Sequence, residues 1–182
     1  MSYELVKYAL RNFILDHSPE FLDANKVFFA TERFTMPEKP YIMITELSSL
    51  EDLESGYENK GLVKEITNYK NSIFTVAIYN LSENDLSEEN NFTRNILEDI
   101  RNAFKIAQFN HSLKNYFTIQ SITDLRPLNE ITETGFLFRY EFDITCGYNE
   151  IISTELKQSQ GVIIDLDTNN IHIEVNKENM HV

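Results

Sequence analysis

The sequence predicts an α+β fold: a mainly antiparallel β-sheet covered on one face by two amphipathic helices, with a C-terminal β-hairpin extension. Three observations lead there. Residues 136–148 alternate without a break, with Phe136, Phe138, Tyr140, Phe142, Ile144, Cys146 and Tyr148 on one face and Leu137, Arg139, Glu141, Asp143, Thr145 and Gly147 on the other. That is the period of a strand with one buried face. Two segments repeat apolar residues at the three-and-four spacing of a helix, and residues 161–175 place two apolar runs around a polar turn.

Taken in order, Ser2 is a helix N-cap, and Leu5, Val6, Ala9, Leu10, Phe13 and Ile14 form a stripe that ends before Pro19. After residues 26–30, Pro37 and Pro40 fix φ and bias Met36 and Lys39 to extended backbone, leading into a strand at 41–47. Residues 48–59 carry Glu51, Asp52, Glu54 and Glu58 with no basic residue, and Gly56 and Gly61 add freedom. The expectation is an exposed acidic loop. Strands at 61–69 and 72–81 follow, the second rich in β-formers, with Lys70 and Asn71 as the turn of a hairpin.

Ser87 with Glu88 and Glu89 opens the second helix, where carboxylates favour the dipole. Its stripe is Phe92, Ile96, Leu97, Ile100, Ala103, Phe104 and Ala107, and Arg94, Asn95, Asp99, Arg101 and Lys105 fall largely outside it. A strand at 116–122, a connection from Arg126-Pro127 and Gly135 bring the chain to the alternating strand. Beyond Asn149 a polar stretch leads to the terminal hairpin, giving a domain at 1–149 and an extension at 150–182.

A length of 182 residues suits one domain, and 42% hydrophobic residues with 13 Phe and 9 Tyr supply a core. A net charge of −13 opposes adhesion to nucleic acid or anionic lipid. No apolar run approaches the roughly 20 residues of a membrane span. The N-terminal stretch is broken by Glu4, Lys7, Arg11 and Asn12, unlike a signal peptide, and Cys146 has no partner for a disulfide, so a reducing cytoplasm is expected.

The sequence predicts no catalytic residue, cofactor or metal site. His17, His111, His172 and His181 are scattered, and the stretch around Asp165 and Asp167 lacks the glycine and distal glutamate of a calcium loop. There is no phosphate-cradling glycine motif or nucleophile elbow, and Cys146 falls on the apolar face of its strand. Arg139, Glu141 and Asp143 recur at period two on the other face. They fit either a wet face with cross-strand pairs or a polar subunit interface.

Pro37, Pro40 and Tyr41, the strand 74–79, the helix 91–107 and Arg139 within its strand follow one another in an order and spacing that resembles the neck and tail terminator proteins of tailed bacteriophages, over residues 3–148. The resemblance implies a non-enzymatic virion protein, assembled in the host cytoplasm. It implies a ring, usually of six, at the head-proximal end of the tail, ending tube growth and contacting the tail tube protein and the head connector. DNA would pass through its lumen without specific binding, and no membrane is involved. On that reading Glu51, Asp52, Glu54 and Glu58 face the lumen. Arg139, Glu141 and Asp143, with Ile171 and Ile173 of a hairpin able to extend a neighbour's sheet, are candidate subunit contacts. Two other readings stay open: a monomeric protein-binding module, and a divalent-metal hydrolase using surface carboxylates.

Overall fold

The first helix, α1 (Tyr3–Asp16), buries Val6, Ala9, Leu10 and Ile14 in its expected stripe, with Leu5 at its exposed margin. Ser18 Oγ donates to the Ile14 carbonyl and closes the last turn before Pro19. The computed structural model describes residues 3–32, 35–60, 63–82, 86–132, 135–155, 163–167 and 170–174, with side chains at 3–32, 35–47, 67–81, 88–132 and 135–150.

Strand β1 (Val27–Phe29) pairs parallel with β2 (Tyr41–Lys60), Val27 opposite Ile42. This one parallel contact makes the sheet mixed, where a mainly antiparallel one was expected. Every other ladder is antiparallel: β2 pairs with β3 (Val63–Ser82), and β3 with β7 (Gly135–Glu155). On its far side β7 takes β4 (Thr118–Ile122), β5 (Arg126–Pro127) and β6 (Glu130–Thr132) in succession. The resulting path is β1-β2-β3-β7-β4, a sheet of seven strands with β5 and β6 beside β7. Gly135, at φ 143°, makes the turn from β6 into β7 in backbone that a side chain disfavours.

Two expectations fail along β2 and β3, for connected reasons. The segment with Glu51, Asp52, Glu54 and Glu58 is not a loop but strand, continuous with β2 and laddered to β3 from Ser48 to Lys60. Its alternation is hidden because register shifts at Glu46/Ser48 and Glu51/Ser55 reset the pattern. Lys70 and Asn71 are likewise no turn. They lie inside β3, opposite Glu51 and Leu50 on one side and Tyr148 and Gly147 on the other. The hairpin is therefore β2–β3, twice as long as the expected one.

The second helix, α2 (Leu86–Asn110), begins one residue before Ser87 and buries Ile96, Leu97, Ile100, Phe104 and Ala107. Phe92 departs from the expected stripe: it is half exposed and stacks on Phe21 at 5.8 Å. Arg101 departs the other way, since it is buried; its Nε donates to the Thr123 carbonyl at 2.7 Å and its guanidinium pairs with Asp124. His111 caps the helix at φ 53°, and Ser112 N–H reaches back to the Ala107 carbonyl.

Both helices lie on one face of the sheet. Their stripes meet Ile42 and Ile44 of β2, Phe74, Val76 and Ile78 of β3, and Tyr140, Phe142, Ile144, Cys146 and Tyr148 of β7. Phe104 joins the two halves, 4.5 Å from Phe13 of α1 and 6.1 Å from Phe142, ring centre to ring centre. The free thiol of Cys146 is fully buried here and burial pushes its pKa far up, as befits core filling.

The sheet outruns its cover. At about 3.3 Å per residue, a 20-residue strand spans roughly 65 Å, whereas the 25 residues of α2 cover about 38 Å. Among the described side chains of β3 the buried positions begin at Ser72, and β2, β3 and β7 continue beyond it as a three-stranded arm. At its base Tyr3 donates to Glu46, Lys70 pairs with Glu150 at 2.7 Å, and Gln120 bridges the Tyr69 hydroxyl and Asn71 over Gly147. Beyond the arm, β8 (Ile163–Asp167) and β9 (Asn170–Glu174) form the expected hairpin, a two-stranded sheet apart from the first.

Candidate assembly surface

The sheet face opposite the helices is organised in cross-strand rows. Tyr41, Tyr79 and Arg139 stand opposite one another on β2, β3 and β7. The two tyrosine rings stack at 5.0 Å, the Arg139 guanidinium lies 5.1 Å from the Tyr79 ring, and Phe28 of β1 closes the row at 5.6 Å from Tyr41. Such planar stacking suits arginine better than lysine. Burial raises the pKa of both tyrosines, so their hydroxyls stay protonated at neutral pH.

The next rows carry charge. β5 brings Arg126 directly opposite Glu141. Arg126 donates through Nη1 to Asp143 Oδ2 at 2.7 Å and through Nη2 to Asp143 Oδ1 at 2.9 Å, a bidentate fork, and also to Glu141 Oε1 at 3.1 Å. Arg139 Nη2 donates to Glu141 Oε2 at 2.6 Å, and Thr75 Oγ1 to Asp143 Oδ1 at 2.7 Å. The Arg126 hydrogen bonds hold the Asp143 carboxyl below its ordinary range, and bonding to Asp143 pushes the Arg126 guanidinium up. Glu141 is 8% exposed, and these two arginines supply its hydrogen bonds. Arg139 Nε is buried with no acceptor among the described residues.

Arg139, Glu141 and Asp143 are thus brought together as the alternation foretold. The residue that organises them, Arg126, reads in the sequence only as the start of a connection. A signal was present: it is the one basic residue between Lys114 and Arg139, and two carboxylates on one sheet face call for a cation. Glu51, Asp52, Glu54 and Glu58 lie elsewhere, on the arm portion of β2, and Ile171 and Ile173 on β9. Their side chains, and those of Asp165, Asp167 and His172, lie outside the described ones.

What is built outside the core, then, is a braced sheet face and long strand edges, the furniture of an α+β structural subunit. The chain belongs to the phage neck terminator protein family, whose model matches residues 4–178. Among curated proteins none matches it. It is accordingly a structural protein of the phage tail and neck, a place where it meets other phage proteins. The match also corrects one boundary: it runs past Tyr148 through the hairpin, which the resemblance had left out.

Proposed function

We propose that the chain forms a closed ring, of six copies, at the head-proximal end of the tail, where it stops tube growth and joins the tail to the head connector without catalysis or a cofactor. The observation that carries this reading is the arm. Its two outer strands, β2 and β7, leave edges without a strand partner among the described residues, from Thr45 to Lys60 and from Tyr148 to Glu155. The edges point in opposite directions, so one copy's β7 side can meet the next copy's β2 side, a heterologous contact that closes by rotation. Residues 150–182 act as an assembling extension of the domain at 1–149.

The braced face serves the same end. Arg139, Glu141 and Asp143 hold a stiff polar surface for subunit contact, and an acceptor from a neighbour would satisfy Arg139 Nε. The acidic stretch Glu51, Asp52, Glu54 and Glu58 faces the lumen. Six copies at −13 carry −78, a field that disfavours DNA adhesion during passage. Infection with the gene inactivated tests the reading: overlong tails separated from full heads are expected. Normal, joined tails would refute it. In the same system, neutralising the four acids should slow DNA release, and unaltered release would remove them from the lumen.

A further inference from the structure

The hairpin β8–β9 has no partner within its own described chain, and a two-stranded hairpin is at best marginally stable alone. We infer that it seats on the β2 edge of the next copy, within Ser55–Lys60, extending that copy's arm by β-augmentation. This deepens the ring reading and rests on it.

Three observations select the seat. First, the hairpin hangs from the end of β7, and in a heterologous ring the β7 side of each copy faces the neighbour's β2 side. Second, the two register shifts cut the β2 edge into short ladders, which blunts it against indiscriminate pairing. The unbroken stretch Ser55–Lys60 matches β8 and β9, each of 5 residues. Third, seven residues, 156–162, separate β7 from β8 and span at most about 23 Å, several times the ~5 Å spacing of adjacent strands, so the hairpin is within reach of a strand edge set against the β7 side.

Charge gives the contact a signature. The hairpin carries Asp165, Asp167 and Glu174, and the seat carries Glu58 with Glu54 beside it against a single cation, Lys60, so acids outnumber bases across the contact. Like charges delay pairing at low ionic strength and are screened as salt rises. The seat therefore closes more readily in high salt, the opposite of an ion-paired interface.

Cysteine pairing tests this. Asn59→Cys and His172→Cys are made singly and together, and treated with a short bis-maleimide in high salt; buried Cys146 stays silent. Mixing the two single variants should give a covalent dimer, and the double variant a ladder ending at six. Overturning results are an internally crosslinked monomer alone or no crosslink. If rings form by native mass yet no intermolecular crosslink appears, the seat fails while the ring reading stands; if no ring forms, both fail.

Discussion

Truncating Phe104 to alanine should cost the fold about 4 kcal/mol, the middle of the range for a buried aromatic. Its ring is fully buried and touches both α1, at Phe13, and the sheet, at Phe142. A cavity there cannot be filled by one helix without parting from the other. For a domain of this size the thermal midpoint should drop by roughly 8–16 °C, read by calorimetry. Phe104→Leu, which keeps most of the volume, should recover more than half of the loss. A drop below 3 °C for the alanine variant would mean that the helices do not share one core.

The second large effect is at Arg126. Arg126→Ala leaves Glu141 and Asp143 facing each other with only Arg139 and Thr75 to answer them. A fully buried pair broken this way costs 3–5 kcal/mol. Arg126 is 43% exposed, so water offsets part of this and about 2 kcal/mol is expected. Arg126→Lys keeps the charge but loses the fork to Asp143, and should cost about half as much. Acid titration provides an independent reading. The Asp143 carboxyl is held below its ordinary value by Arg126, so its stabilising contribution is present above the unfolded value near 3.9 and is lost as pH falls through the folded one. Urea midpoints of the native chain should be flat at mildly acidic pH and fall below about 4. In Asp143→Asn much of that fall should vanish; an unchanged acid slope would show that the fork carries little stability.

The sequence made the core legible and the arm illegible, for physical reasons. Alternation from Phe138 to Tyr148 reads directly because β7 is regular against β3, with no shift in register. The helix stripes read because each helix buries one side, although Arg101 shows how a cation can enter such a stripe when a strand-end carbonyl and a carboxylate receive it. The β2 strand hid behind its bulges, and Lys70-Asn71 imitated a turn because polar residues inside a long ladder look like those between two short ones. The three residues of the braced sheet face were found by period alone. Arg126 was missed because its role depends on β5 crossing to β7, a pairing of 2 residues that no local pattern announces.

The arm is also where stability and assembly part company. Its strands pair with one another past the last buried position described in β3, Ser72, and in the proposed ring their length serves a partner. In a free subunit the register shifts of β2 guard that edge, and in the proposed ring the neighbour would cover it.

Native mass measurement of the purified chain, from dilute to concentrated and from low to high salt, tests the ring most directly. The account predicts that a single species of six copies, about 128 kDa as six times 21.3 kDa, grows in with concentration and salt. A chain that stays at 21.3 kDa throughout, or that forms open-ended series of every size, would contradict it.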